Sequence, residues 1–220
     1  MASGLPSRRT LLLGLGALKL APPGRDHAIR TAADEPDRKQ HYVIFDGGIE
    51  SVAVKSLMAA VGNLVSKGAD RVHLVVASGG GSTRLALEAY AFLRALPVRI
   101  VTWNIADVQS SATILFLAGE ERIAGPAARF MLHPLTWDMK SQFNDREMTE
   151  ARAQLGFDVA RFVDIYKERT SLSAAQIDQL EHGTLFLDAN EALQAGLVQR
   201  VEPFRIAPGS EIVVVAPFAP

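Results

Sequence analysis

The sequence contains no cysteine, which removes disulfides, thiolate metal sites and cysteine nucleophiles together and leaves the redox compartment open. It has no surplus of charge either. Lys and Arg number 23 against 24 Asp and Glu, for a formal net charge of −1, so nothing directs the chain to nucleic acid or an anionic membrane surface. No apolar run is long enough to span a membrane. The five histidines, His27, His41, His73, His133 and His182, show no HxH or HExxH spacing, and neither a metal nor a cofactor is expected. What remains is 220 residues, 48% hydrophobic and 21% charged, enough for one domain with a sizeable core.

The first 41 residues read differently from the rest. Ser7-Arg8-Arg9-Thr10-Leu11-Leu12 places a basic pair before a short apolar run that ends at Pro22-Pro23, the layout of an export signal of twin-arginine type. Leu13 stands where that motif often has lysine, and Thr31-Ala32-Ala33 is the nearest cleavage candidate. The expectation is a periplasmic or secreted protein; the alternative is a cytoplasmic protein with an arginine-containing arm. Residues 20–41, rich in Pro, Asp, Arg and Ala, read as a linker. A folded domain over residues 42–202 and a tail over 203–220 complete the organisation. The tail contains Ile212-Val213-Val214-Val215, read as an edge strand or an interaction arm.

From Tyr42 onward strands and helices alternate. Tyr42-Val43-Ile44-Phe45 ends at Asp46-Gly47-Gly48, which suits a buried strand and a turn. Val54, Leu57, Met58, Val61, Leu64 and Val65 then keep helical spacing up to Gly68. Residues 72–77 predict a second buried strand, 83–96 a helix stopped by Pro97, 98–103 a third strand, 111–118 a helix and 128–133 a strand. This order predicts a largely parallel sheet. Asn144 with Glu147, Ser173 with Gln176, and Asp188 with Glu191 each read as a capping box opening a helix. The first of these helices runs to about residue 170. Residues 197–201 predict a last strand.

Three places could carry chemistry. Ser78-Gly79-Gly80-Gly81-Ser82 lies between a strand and a helix, where glycines free backbone N–H groups to hold an anion or a developing oxyanion. A plain tight turn uses the same residues, and no GxGxxG or G-K-S/T pattern points to phosphate. Ser110 opens an apolar helix, as a nucleophile or as an ordinary N-cap. His133 ends an apolar strand before Pro134, placed to face a cleft as a general base or to sit satisfied in the core. Each taken alone favours the plainer reading.

Taken in order, these segments resemble the Clp protease proteolytic subunit. The matching elements are the glycine loop, Ser110 before a helix ending Leu117-Ala118-Gly119, Met131-Leu132-His133-Pro134, then Phe186-Leu187-Asp188-Ala189-Asn190-Glu191-Ala192 and Gly196-Leu197-Val198. The resemblance covers roughly residues 42–201. It implies an α/β fold of ClpP/crotonase type, with stacked ββα units, a largely parallel sheet and a long helix in the C-terminal half. It implies a serine endopeptidase acting on peptides or unfolded proteins, Ser110 as nucleophile and His133 as base. Gly80 or Gly81 with the N–H of Ser111 would form the oxyanion hole. The long helix would be the handle by which the family's rings associate, giving a homo-oligomer.

The chain departs from the family in three ways. Counting back from Phe186-Leu187, the family's catalytic aspartate falls on Thr184, leaving open a slow peptidase or a catalytically impaired assembly subunit. Glu181, Asp178 and Asp188 are candidate substitutes. Docking tyrosines are replaced by His73 and Val75, and residues 28–41 do not resemble the family's pore-gating segment. Both changes speak against an AAA+ unfoldase partner. Two other enzymes remain in view: a serine–lysine dyad using Lys140 or Lys167, and a crotonase-like acyl-CoA enzyme whose oxyanion hole polarises a thioester.

Overall fold

A computed structural model describes residues 39–136, 142 and 144–215, together with Met1; the export-signal segment and Lys140 lie outside the described residues. The chain runs β1 (His41–Asp46), α1 (Ser51–Ser66), β2 (Arg71–Ser78), α2 (Thr83–Ala95), β3 (Arg99–Gln109), α3 (Ala112–Leu117), β4 (Glu121–Ala124) and β5 (Arg129–Leu132). It continues through α4 (Asp145–Arg169), α5 (Ala174–His182), β6 (Leu185–Asp188), α6 (Ala189–Gln194), β7 (Arg200–Val201) and β8 (Glu211–Val215). The strands form one sheet in the order β6-β5-β3-β2-β1-β8, with β4 branching from β3 and β7 from β4. Only the β5–β6 pair is antiparallel among them.

The alternation along each strand sets two faces. On β2, Val72, Leu74 and Val76 enter the main core beneath α1, α2 and α3, while Val75 enters a smaller cluster with Val101, Trp103 and Ile123. Burial on both sides explains why this strand reads as an unbroken apolar run. Helix α3 is apolar on every side except at Thr113, and all six of its residues are buried. Each fully buried Leu, Ile or Phe there contributes about 1.5–3 kcal/mol. The three capping boxes form as the sequence predicts, each with side-chain and backbone bonds in both directions.

Strand β3 is longer than the apolar run at 98–103 predicts, and its extension positions the site. Its first half pairs β4 and its end, Asp107–Gln109, pairs β5. Between the two, its partner register with β2 jumps from Val76–Asn104 to Ser78–Val108, so β3 carries two extra residues there. The buried Asn104 side chain holds this bulge. Its Nδ2 donates to the Arg129 carbonyl at 2.9 Å and its Oδ1 accepts the Ala106 N–H at 3.0 Å. Such a bulge bends a strand and re-aims the residues beyond it. Here the re-aimed residue is Ser110.

The segment read as a tail supplies β8, an edge strand parallel to β1, and Phe204 packs on the smaller cluster against Trp103 and Tyr42. His73 lies within this cluster, 3% exposed. Trp103 can only donate, so its Nε1–H donates to His73 Nδ1 at 3.0 Å. His73 Nε2–H then donates to Gln40 Oε1, also at 3.0 Å. Burial, reinforced by the Arg71, Arg200 and Arg99 guanidinium groups, pushes the His73 pKa from 6.5 down to about 4. A depressed histidine pKa means the unfolded chain binds the proton first as pH falls. Stability therefore drops between about pH 6.5 and 4, by roughly 3 kcal/mol over the window. Chemical denaturation at pH 7 and pH 4.5 should show that loss in the natural protein and a smaller one in His73→Gln. Equal losses in both would dismiss His73 as the source.

Candidate active site

Ser110 has φ of 54°, and among the described residues it is the one non-glycine in the positive-φ region. That conformation costs about 1–3 kcal/mol and persists only where the surroundings enforce it. Here they do. The Ser110 N–H donates to the Met131 carbonyl at 2.7 Å, continuing the pairing of β3 with β5 around the turn. Its own carbonyl accepts from the Thr113 N–H at 3.0 Å and from Thr113 Oγ1 at 2.6 Å. The turn lifts the side chain out of the strand, toward the end of β5. There His133 Nε2 lies 2.7 Å from Ser110 Oγ.

The adjacent serine has another task. Ser111 is 1% exposed and its hydroxyl donates to the Gly81 carbonyl at 3.1 Å, fixing the glycine loop to the turn. The loop is pinned from the far side as well. Ile49 N–H donates to the Gly80 carbonyl at 2.8 Å, and Ser82 N–H donates to the Ile49 carbonyl at 3.0 Å. Gly80 and Gly81 have φ of 98° and 144°, a region open to glycine and little else. The Gly80 N–H is taken up by Ser78 Oγ at 3.2 Å. Among the described residues, the N–H groups of Gly81 and Ser111 have no acceptor. Of the two glycines named from the sequence, Gly81 is the one with a donor to spare.

The third position is different. Strands β5 and β6 pair antiparallel with Leu132 opposite Leu185, and one further step of that register sets Thr184 opposite His133. Among the described residues, however, no side chain hydrogen-bonds His133 Nδ1; the bond to Ser110 is the one His133 makes. Thr184 contributes its carbonyl to Gln179 Nε2 at 3.0 Å. The candidate substitutes fare no better. Asp188 Oδ1 accepts the N–H groups of Asn190 and Glu191 at 2.8 Å as the cap of α6. Asp178 and Lys167 line another cavity, which neither Ser110 nor His133 lines. The Glu181 side chain lies outside the described residues.

Two hollows flank the pair. A cleft of about 420 Å³ on the His133 side is walled by Leu135, Leu155, Val159, Phe162 and Leu180, with Arg152 and His182 also lining it. A more polar groove on the glycine-loop side includes Arg84, Gln154, Asp158 and Arg161. Among the described residues no cluster of His, Asp and Glu could hold a metal, and no helix is long and apolar enough to cross a membrane. Sequence reasoning missed Ile49, Asn104, Thr113 and Tyr166. Each of the four hydrogen-bonds a segment far away in the chain, and such contacts leave no periodic trace.

The family model described as Clp protease matches residues 38–203. A Clp protease proteolytic subunit-like protein of Streptomyces coelicolor is 30% identical over 187 residues, spanning 81% of this chain and 87% of that protein. Among solved structures, a variant of ClpP1 from Listeria monocytogenes superposes with a TM-score of 0.68 at 20% identity, over 75% of this chain and 92% of that one. The mixed sheet of mostly parallel strands matches that fold.

Proposed function

Because the chain belongs to the Clp protease family, we propose that it is a serine endopeptidase that cleaves peptides or unfolded proteins through an acyl intermediate on Ser110. The observation carrying this reading is the 2.7 Å contact between Ser110 Oγ and His133 Nε2 beside two backbone donors that have no acceptor among the described residues. With the ring proton on Nδ1, Nε2 accepts the Ser110 proton as Oγ attacks the scissile carbonyl. The negative charge that develops on the carbonyl oxygen is held by the N–H groups of Gly81 and Ser111. His133 returns the proton to the leaving amine, and water repeats the sequence to release the acid. The apolar cleft beside His133 suits a large hydrophobic side chain next to the cleaved bond.

With threonine in place of a carboxylate at 184, the imidazolium formed in each step has no counter-charge bonded to it among the described residues. Loss of that acid costs about four orders of magnitude in a triad built around it, so turnover is slow. The family forms oligomeric rings, and α4, with Phe157 73% and Met148 49% exposed, suits the role of the joining helix in a ring of identical chains. A non-catalytic assembly subunit is the second reading, favoured by the lack of a hydrogen-bond partner for His133 Nδ1 among the described residues.

A fluorophosphonate probe separates them. Applied to the full-length protein, it should label the natural chain and Ser111→Ala but neither Ser110→Ala nor His133→Ala. An unlabelled natural protein in its assembled state would favour the non-catalytic subunit.

A further inference from the structure

The Ser110–Ser111 peptide is planar and trans, so its carbonyl and its N–H point in opposite directions. Whatever fixes the Ser110 carbonyl also aims the Ser111 N–H. Two donors fix it, both from Thr113: the backbone N–H at 3.0 Å and Oγ1 at 2.6 Å. Thr113 is wholly buried and its Oγ1 also lies 2.5 Å from the hydroxyl of Tyr166. Counting protons assigns both bonds. A carbonyl only accepts, so the one Thr113 hydroxyl proton goes to Ser110, and the Tyr166 proton must then go to Thr113. Tyr166 is 5% exposed on α4, and burial raises its pKa, so that proton stays in place throughout the working pH range.

We propose that Thr113 and Tyr166 are positioning residues for the oxyanion hole: a relay from Tyr166 on α4 through the Thr113 hydroxyl that pins the Ser110 carbonyl and so aims the Ser111 N–H at the reacting oxygen. The inference rests on Ser110 being the nucleophile. Thr113 is wholly buried, while the Tyr166 ring also lines the cleft beside His133, and Tyr166→Phe keeps that ring in place. Without the relay, the strained turn keeps one carbonyl bond instead of two, and the peptide can rotate its N–H away from the hole. Removing one oxyanion donor lowers kcat by about 10²–10³, and a misaimed donor should approach the lower figure.

The test uses the full-length chain, a fluorogenic peptide and the fluorophosphonate probe. Thr113→Val keeps the shape but leaves the Tyr166 hydroxyl buried without an acceptor. The double variant Thr113→Val/Tyr166→Phe removes both polar groups, and such paired replacement is close to neutral for stability. The relay requires that the double variant melt near the natural protein yet show kcat about 100-fold lower, with KM within twofold and labelling slowed in step. Thr113→Ser, which restores the hydroxyl, should recover most of kcat. A double variant with kcat within threefold of natural, a loss carried by KM, or a Thr113→Ser as impaired as Thr113→Val overturns the relay while Ser110 labelling stands. If the natural protein is not labelled, or Ser110→Ala still is, the peptidase reading falls and the relay with it.

Discussion

Gly80→Ala should slow fluorophosphonate labelling of Ser110 by at least about 10³-fold, while Gly79→Ala leaves it within about threefold. A Cβ on Gly80 would sit 2.6 Å from the Ser110 Cβ, 3.0 Å from the Gln109 carbonyl oxygen and 3.1 Å from the Ser110 Oγ. None of these is the yielding tip of a long side chain; two belong to the nucleophile itself. The φ of 98° at Gly80 adds strain for any side chain. Relief requires moving either the loop or Ser110. The first displaces the Gly81 N–H from the hole, and the second breaks the 2.7 Å contact with His133. Losing one donor costs about 10²–10³, and a misplacement of 1 Å can cost 10² more. Gly79 is exposed, has no atom within 4 Å of a built Cβ and does not occupy positive φ. Wild-type labelling in Gly80→Ala would show that the glycine loop does not abut the working nucleophile.

The second large effect concerns stability. Arg122 is 4% exposed, and among the described residues no carboxylate pairs with it. Its guanidinium instead donates to the carbonyls of Leu197 at 2.8 Å, Arg169 at 2.8 Å, Gly196 at 3.1 Å and Gly119 at 3.2 Å. Those carbonyls lie at or just past the C-terminal ends of α3, α4 and α6, where the helix dipoles favour a cation. Burial, then the neighbouring Arg169, lowers its pKa to about 10, so it remains charged. Arg122→Met matches the length but strands the carbonyls of Leu197, Gly196 and the last turn of α4. Each buried, unpaired acceptor costs about 1–3 kcal/mol, for a loss of about 4 kcal/mol or more by denaturant unfolding. Arg122→Lys keeps the charge without the planar fork and should recover less than half of it. A loss under about 1 kcal/mol for Arg122→Met would show that water reaches these carbonyls.

Arg122 also illustrates what could be read from the chain. Helices announced themselves through local pattern: Asn144 with Glu147, Ser173 with Gln176, and Asp188 with Glu191 are three residues apart and need no tertiary knowledge. Ser110 and His133 were legible as members of an ordered set of motifs. The identity at 184 was legible too, since counting along the chain suffices to reach it. The distant contacts were not. The pairing of β8 with β1 joins segments some 170 residues apart, the β3 bulge depends on Asn104 reaching β5, and the Arg122 cluster gathers three helix ends. In each case the partner is defined by the finished fold, so no window of sequence contains it.

The pairing of β1 with β8 bears on how the domain would respond to force. The two strands run parallel, in register from His41–Glu211 to Phe45–Val215, and the Lys39–Glu211 ion pair at 2.9 Å sits at one end of the ladder. A pull applied ahead of β1 and beyond β8 acts on opposite ends of this parallel pair. It loads the ladder in shear, so every rung must give way together instead of peeling one at a time. The domain is thereby clamped at the two places where traction on its flanking segments would first be felt.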